Sequence, residues 1–272
     1  MFKKITCIFV VLFSLFKIAS EDAKFNLWGS QSVFALSPVC DGILLGTGIA
    51  LSGSDLILDN VFKLNRQKYD GETYDKNDVN SFDRKFMHQY SKNRDRAADI
   101  LLAASMGTPI VLGLTEKEEW FTCAVMYAET LLIANGIKEI TKLCVNRTRP
   151  YMYYDAETFP EDDVDDGDWA NSFPSGHSTM AFAGATFASY SFCKYFPDSA
   201  LRFPVVAGSY AMACSVAALR LSSGNHFMSD VLTGAAIGTL TGFLVPWLHT
   251  FNAKNDLKVN LLADGVCLAI AL

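Results

Sequence analysis

Long stretches without charge dominate the chain after residue 100. Five of them, each 15 to 18 residues long, carry at most one charged side chain: residues 100–114, 120–137, 178–193, 203–219 and 231–248. Uncharged runs of this length are longer than ordinary strands and predict helices. They are slightly shorter than the roughly 20 residues that cross a hydrocarbon core, so they fit membrane spans or the buried helices of a soluble bundle. We predict an all-α helical bundle of polytopic membrane type, with about five to six spanning helices.

The rest of the chain is less uniform. Residues 60–96 are polar and mixed in charge, which predicts an exposed region with a short helix at most. Residues 43–54 are apolar but rich in Gly and Ser, and we interpret them as a half-buried or interfacial helix that does not cross the membrane. The last residues, LLADGVCLAIAL, are apolar and too short to span. These changes divide the chain into a leader at 1–20, an N-terminal region at 21–96, a catalytic helical-bundle domain at 97–250 and a tail at 251–272.

The N-terminal residues are organised like a secretory leader. Lys3 and Lys4 precede an apolar run at 5–16, and residues 18–20 offer a small-residue cleavage site. Because Lys17 interrupts that region, an uncleaved signal anchor is an equal alternative. If the leader carries the chain outward and 43–54 does not cross, the polar segments that hold the candidate chemistry all fall on the outer side.

Composition narrows the function classes. Only 19% of the residues are charged and 50% are hydrophobic, against about a quarter charged in soluble domains, which favours a membrane protein. The net charge of -6 and the lack of a basic stripe argue against nucleic acid as a partner. The cysteines after the leader are scattered without Cys-x-x-Cys pairs, so neither a zinc site nor a dense disulfide framework is indicated.

Two polar stretches suggest anion binding. In KLCVNRTRP, Lys142 and Arg149 are seven residues apart, which on a helix is about two turns, so both cations would point the same way. In NSFPSGHSTM, Ser175 and Gly176 can aim backbone N–H groups at an anion from the start of a helix, with His177 at the mouth of the cradle. Taken alone, each stretch also has an interpretation without function. The first fits a solvated pair of cations, and the second fits a simple turn before a helix.

The third polar stretch, RLSSGNHFMSD, contains Arg220, His226 and Asp230. A His and an Asp four residues apart face each other on a helix, so Asp230 can hold the proton of one ring nitrogen and leave the other lone pair outward. A nucleophilic or basic imidazole needs that arrangement, although a helix-surface pair would look the same. Further along, small residues at a spacing of four predict close helix packing and no binding role: Gly234, Gly238 and Gly242.

In order and internal spacing, the three stretches form the signature Lys-x6-Arg-Pro, Pro-Ser-Gly-His and Arg-x5-His-x3-Asp. The chain therefore resembles the type 2 phosphatidic acid phosphatase superfamily, which includes lipid phosphate phosphatases, bacterial secreted acid phosphatases and vanadium haloperoxidases. The signature covers residues 142–230. The family's third motif usually opens Ser-Arg, whereas Leu219 stands before the arginine here, which puts a secondary hydrogen bond near the phosphate in doubt.

The resemblance implies a role for each residue of the signature. His226 would attack phosphorus and form a phosphohistidine, Asp230 would orient its ring, and His177 would protonate the leaving oxygen and later activate water. The phosphoryl oxygens would be bound by Lys142, Arg149, Ser175, Gly176 and Arg220. No metal or other cofactor is implied, because fixed cations and N–H donors can carry the charge of the transition state.

These expectations describe a phosphatase that hydrolyses lipid phosphomonoesters or pyrophosphates in a bacterial inner membrane, with its active site facing the periplasm. A soluble periplasmic acid phosphatase with the same site is the first alternative. A non-enzymatic phosphate-binding or transport protein and a vanadate-dependent haloperoxidase are the others. The two imidazoles of His177 and His226 argue against simple anion binding. Residues 161–168, EDDVDDGD, are interpreted as a solvated acidic loop because Val164 breaks the ligand spacing of a calcium loop.

Overall fold

The computed structural model describes residues 33–60, 62, 66–254, 257–262 and 265–270. The predicted leader at 1–20 lies outside the described residues. Eight α-helices occur in the described part: α1 Pro38–Asn60, α2 Ser81–Arg84, α3 Lys92–Met106, α4 Lys117–Cys144, α5 Glu161–Asp165, α6 Gly176–Tyr195, α7 Arg202–Ser222 and α8 Met228–Lys254. Short 3-10 helices lie at Lys76–Asp78, Thr108–Leu114, Pro150–Tyr153, Ala156–Thr158 and Asp168–Ala170.

All five uncharged stretches are helical, and the predicted all-α bundle is confirmed. The first stretch is divided: α3 ends at Met106, and Thr108–Leu114 continues as a 3-10 helix. Gly107 closes α3 by donating its N–H to the carbonyls of Ala103 and Ala104. Pro109 follows within the first turn of the 3-10 helix, where its missing N–H and fixed φ prevent α3 from continuing.

Four helical segments of the described chain are long and apolar enough to cross a membrane, against the five to six predicted: Lys92–Leu114, Lys117–Cys144, Arg202–Ser222 and Met228–Phe251. The predicted stretch 178–193 is not among them. It forms most of α6, which packs against α3, α4, α7 and α8. This helix lies in the middle of the bundle, and its buried residues include many small and hydroxylated side chains, so protein rather than lipid surrounds much of it.

The glycines of α8 let it approach α6 until the backbones touch. A Cβ atom on Gly238 would lie 2.1 Å from the carbonyl oxygen of Thr179, and one on Gly242 would lie 2.5 Å from that of Ala183. Since real Cβ atoms do not come so close, only glycine fits at these positions. The packing role predicted for this stripe is confirmed, and the contact holds the start of α8 firmly against the start of α6.

Helix α1 is longer than the predicted segment 43–54 and packs along α4. Here too the contact is close, because a Cβ on Gly136 would lie 2.4 Å from the Cβ of Leu51. The tail, for which the sequence suggested no structure, contains an antiparallel hairpin of β1 (Leu257–Leu262) and β2 (Gly265–Ile270). This hairpin follows the bundle and leaves its all-α character unchanged.

Candidate active site

Backbone pairing joins the first motif to the segment that leads into the second. The N–H groups of Arg147 and Arg149 donate to the carbonyls of Ala170 and Trp169, both at 2.8 Å, and the N–H of Ser172 donates back to Arg147 at 2.9 Å. The chain after α4 and the chain before α6 therefore run side by side. This pairing brings residues that are more than twenty positions apart to one end of the bundle.

The second motif is fixed to the third by the start of α6. Ser175 is the N-cap of α6, where its hydroxyl accepts from the N–H of Ser178. Its own N–H donates to the carbonyl of Asp230 at 3.0 Å. Gly176 begins the helix, and a Cβ there would lie only 3.0 Å from the Cδ of Lys138. A glycine at this position lets the side chain of Lys138 lie against the helix N-terminus, where the dipole favours an anion.

His226 lies at the centre of the site and is only 2% exposed. Its Nδ1 is 2.7 Å from the carbonyl oxygen of Ser172, and since a carbonyl can only accept, Nδ1 carries the proton. The neutral ring then has its lone pair on Nε2. Burial lowers the pKa of His226 well below its usual value, and the charges of Arg220, Arg149 and Lys142 lower it further. The predicted cations therefore surround a neutral imidazole.

Asp230 does not contact the ring of His226 as the sequence suggested, because its Oδ2 lies 3.8 Å from Nδ1. The i, i+4 geometry applies within a helix, and His226 precedes α8, which begins at Met228. Asp230 accepts instead from the hydroxyl of Ser172 at 2.5 Å and from the N–H of Phe227 at 2.8 Å. The carboxylate thus holds Ser172, whose carbonyl holds the imidazole.

Two of the three predicted cations are buried guanidinium groups with acidic partners. Arg149 donates to the carboxylate of Asp168 and, at 3.2 Å, to Asn225. Arg220 donates to the carboxylate of Asp95, and its Nε is buried without a hydrogen-bond partner among the described residues. Since Asn225 also donates to Asp95 at 3.0 Å, one network connects both arginines.

Lys142 and Arg149 do not share a helix face. Helix α4 ends at Cys144, and Arg149 lies on the extended segment that follows. The prediction of a common helical direction was therefore wrong, although the charges of both residues act on His226. Burial alone would raise the pKa of Asp168, yet Arg149 and Lys142 hold it below its usual value, so this partner is a carboxylate at neutral pH.

The second imidazole is held by an acid on a different helix. Nε2 of His177, in the first turn of α6, lies 2.8 Å from Oδ1 of Asp99 on α3. Burial and the charge of Arg220 lower the pKa of His177 to about 4, whereas the hydrogen bond and charge of Asp99 act in the opposite direction. The ring is therefore neutral in the ligand-free site, and a bound phosphate dianion would raise its pKa.

Sequence reasoning missed several residues of the site. Arg147 contacts Asp230 at 2.5 Å and Asp83 at 2.7 Å, and its guanidinium lies 4.1 Å from the ring centroid of Phe227. The only signal for it was the pair of arginines in NRTRP. Two other missed residues, Ser172 and Asn225, lie inside the second and third polar stretches. The remaining ones lie in segments that looked solvated: Asp83, Asp95, Asp99 and Asp168.

The model of the PAP2 superfamily matches residues 124–254. The matched range is just under half of the chain, and it is similar to the PAP2 superfamily. The matched range contains all eight predicted site residues, so the resemblance seen in the motifs is confirmed. It begins after α3, and the acids Asp95 and Asp99 therefore reach into the PAP2 site from outside the matched range.

Curated relatives of the PAP2 region include lipid A 1-phosphatases. The chain is 32% identical over 132 residues to that of Porphyromonas gingivalis, which covers 48% of this chain and 25% of the relative. It is 30% identical to that of Rhizobium etli over 53% of this chain and 56% of the relative. A PA-phosphatase related-family protein of Dictyostelium discoideum is 26% identical over 61% of this chain and 68% of its own. The chain thus spans a quarter to about half of the lipid A 1-phosphatases that it matches.

Among solved structures, the chain is similar to a transmembrane PAP2 type phosphatidylglycerolphosphate phosphatase from Bacillus subtilis. The sequence identity is 18%, the TM-score is 0.37, and the alignment covers 88% of this chain and 94% of the other.

Proposed function

We propose that this chain is a membrane phosphatase that hydrolyses a lipid phosphomonoester or pyrophosphate through a phosphohistidine on His226. The observation that carries the proposal is the ring itself: a buried imidazole whose Nδ1–H is held by the carbonyl of Ser172 and whose Nε2 lone pair is therefore available. Basic side chains whose charges act on this ring can bind a phosphoryl group before attack.

In the first step Nε2 of His226 forms a bond to phosphorus while the bond to the leaving oxygen breaks. Lys142, Arg149 and Arg220 stabilise the charge that spreads over the phosphoryl oxygens, together with the hydroxyl of Ser175 and the N–H of Gly176. The fixed cations do not need to reorganise as the charge develops, which is why a preformed network lowers the barrier.

Proton transfer is assigned to His177. In the first step it gives a proton to the leaving oxygen, and in the second it takes one from the water that attacks phosphohistidine, so the same ring acts as acid and then as base. Asp99 supports the protonated form because its carboxylate is hydrogen-bonded to Nε2 at 2.8 Å. Bound substrate supplies the additional negative charge that protonation at neutral pH requires.

A lipid substrate is favoured by two findings. Four segments of the described chain are long and apolar enough to cross a membrane, and the curated relatives include lipid A 1-phosphatases. A soluble acid phosphatase has no need for such helices. We retain the outer, periplasmic orientation expected from the sequence as part of the proposal.

The test is phosphate release by the detergent-purified chain, measured against lipid A, phosphatidic acid, phosphatidylglycerophosphate, a polyprenyl pyrophosphate and a soluble aryl phosphate. We expect turnover of at least one lipid substrate above that of the aryl phosphate, and an acid-labile, base-stable phosphoenzyme on rapid quenching. His226→Asn should abolish both, whereas His88→Asn, which changes an exposed ring, should retain them. Full turnover by His226→Asn would refute the nucleophile, and release of the chain by alkaline carbonate would refute the membrane assignment.

A further inference from the structure

A second cluster of ionisable side chains lies deep in the bundle, away from the phosphatase site. It consists of Asp41 in the first turn of α1, Glu129 in the middle of α4 and His249 near the end of α8, and each is at most 3% exposed. One ligand atom from each lies within 4.8 Å of the other two. Along α8, His249 is about 28 Å from Asp230 at the helical rise of 1.5 Å per residue.

The ring of His249 faces both carboxylates with one nitrogen, Nε2. Its Nδ1 lies 2.8 Å from the carbonyl oxygen of Val245 one turn earlier, and because that oxygen can only accept, Nδ1 carries the proton. When this ring is neutral, its lone pair is on Nε2. Nε2 faces Oδ1 of Asp41 at 2.8 Å and Oε2 of Glu129 at 3.3 Å. Three electron-pair donors therefore converge on one point.

Glu129 provides an independent sign that the cluster is incomplete. It is 0% exposed, and neither carboxylate oxygen has a hydrogen-bond partner among the described residues. Buried carboxylates are normally hydrogen-bonded, paired with a charge or bound to a metal ion. The side chain lies on the face of α4 that meets α1 and α8, with Oε2 towards His249, so it is directed into the cluster.

The surrounding contacts are those of metal ligands. A ligating His usually donates its other N–H to a carbonyl or carboxylate, and ligating carboxylates are themselves hydrogen-bonded. His249 meets the first condition through Val245, and Asp41 meets the second because its Oδ2 accepts from the N–H of Ser37 at 2.7 Å. Two ligands about 2.1 Å from a tetrahedral ion are about 3.4 Å apart, which is close to the 3.3 Å between Oε2 of Glu129 and Nε2 of His249.

We propose that Asp41, Glu129 and His249 bind a divalent transition-metal ion of the Zn²⁺ class, which ties α1 to α4 and α8. A dication with two carboxylates and a neutral imidazole is electrically balanced, as a dry interior requires. The imidazole excludes the all-oxygen coordination that Mg²⁺ and Ca²⁺ prefer. To reach the ligand spacing of a tetrahedral site, the carboxylate of Asp41 would have to move away from His249 by about 0.6 Å. The ion is structural and takes no part in phosphoryl transfer.

Metal content of the full chain tests this proposal. Detergent-purified protein is stripped with a chelator, equilibrated with Zn²⁺ or Co²⁺, desalted and analysed by mass spectrometry and visible absorption. We expect one tightly bound ion per chain, d–d bands typical of four-coordinate Co²⁺, and a rise in the melting temperature with Zn²⁺ but not with Mg²⁺. Glu129→Gln and His249→Gln should weaken binding at least tenfold.

Matched variants separate this site from adventitious binding. Glu118→Gln changes an exposed acid on the same helix and His88→Gln an exposed ring, and both should bind as the parent chain does. The double variant His177→Asn, His226→Asn removes the imidazoles of the phosphatase site and should also keep the ion. Binding by Glu129→Gln equal to that of the parent would overturn the proposal. If that variant does not fold, the parent chain alone decides, because a Co²⁺ titration without d–d bands would show a hydrogen-bonded cluster only.

Discussion

The Nδ1 atom of His226 lies 2.7 Å from the carbonyl oxygen of Ser172. A backbone carbonyl thus fixes the tautomer of the buried ring, and the carboxylate of Asp230 acts one step further out by accepting from the hydroxyl of the same serine. Arg147 neutralises that carboxylate from the other side at 2.5 Å. The orientation of His226, the proposed nucleophile, therefore depends on a series of contacts that involves all three motif regions.

This series of contacts predicts that activity falls more when the contact removed carries more charge. Ser172→Ala keeps the carbonyl but removes the hydroxyl that binds Asp230, and we expect kcat to fall about tenfold, as for the loss of one hydrogen bond to a charged group. Asp230→Asn should lower kcat about a hundredfold, because Arg147 then loses the charge of its partner as well. Steady-state phosphate release measures both.

The control is Ser189→Ala. Ser189 is a buried serine of α6 whose hydroxyl has no hydrogen-bond partner among the described residues, and its loss should change kcat less than twofold. An Asp230→Asn variant with unchanged kcat would show that the carboxylate has no positioning role.

The contact between His177 and Asp99 predicts a shift in pH dependence. Asp99 raises the pKa of His177, so Asp99→Asn should lower that pKa. The ring of His177 should then lose its proton at a lower pH. We expect the alkaline limb of the kcat profile, which reports the enzyme–substrate complex, to move to lower pH by about one unit. The measurement is kcat against pH with saturating substrate.

A matched change elsewhere tests whether this shift is local. Asp198→Asn lies in the loop between α6 and α7 and should leave the alkaline limb in place. If Asp99→Asn lowers activity equally at every pH, Asp99 has a structural role and His177 is not the group that titrates.

The helices were predictable from sequence because long uncharged runs have few alternatives to a buried or membrane-embedded helix. For the site, the sequence predicted which residues take part but not how they are arranged or which partners they contact. The distance from Lys142 to Arg149 suggested two helical turns, but nothing in KLCVNRTRP marks Cys144 as the end of α4. Likewise, His226 lies just before α8, where the i, i+4 rule gives the wrong partner.

The acidic partners could not be found from local sequence. NRDRAAD has the composition of a solvated helix start, yet Asp95 and Asp99 face Arg220 and His177 across the bundle. An acid that faces water and one that faces a buried guanidinium look the same in a polar segment. Their roles depend on which helices are neighbours, and that information lies in the packing of α3 against α6 and α7.

The buried side chain of Arg220 leads us to predict that activity requires a guanidinium group at this position. Its Nε is a buried donor with no partner among the described residues, which suits a phosphoryl oxygen, and lysine cannot supply a donor at that position. We expect Arg220→Lys to lower kcat/KM about a hundredfold and to reduce the rise in melting temperature that inorganic phosphate produces. Arg202→Lys, at the other end of the same helix, should behave as the parent chain does. Equal phosphate stabilisation in Arg220→Lys would contradict this role.

The contact between α8 and α6 predicts that Gly238 cannot carry a side chain. A Cβ there would lie 2.1 Å from the carbonyl oxygen of Thr179 and 2.8 Å from the N atom of Ala183, and both are backbone atoms that cannot move without separating the helices. Gly238→Ala should therefore lower the free energy of unfolding by about 1–3 kcal/mol. Gly208→Ala on α7 meets nothing within 4 Å and should raise it by about 0.5–1 kcal/mol through helix propensity. Thermal unfolding of both variants in the same detergent compares them, and a Gly238→Ala variant as stable as Gly208→Ala would mean that α8 and α6 are not in backbone contact.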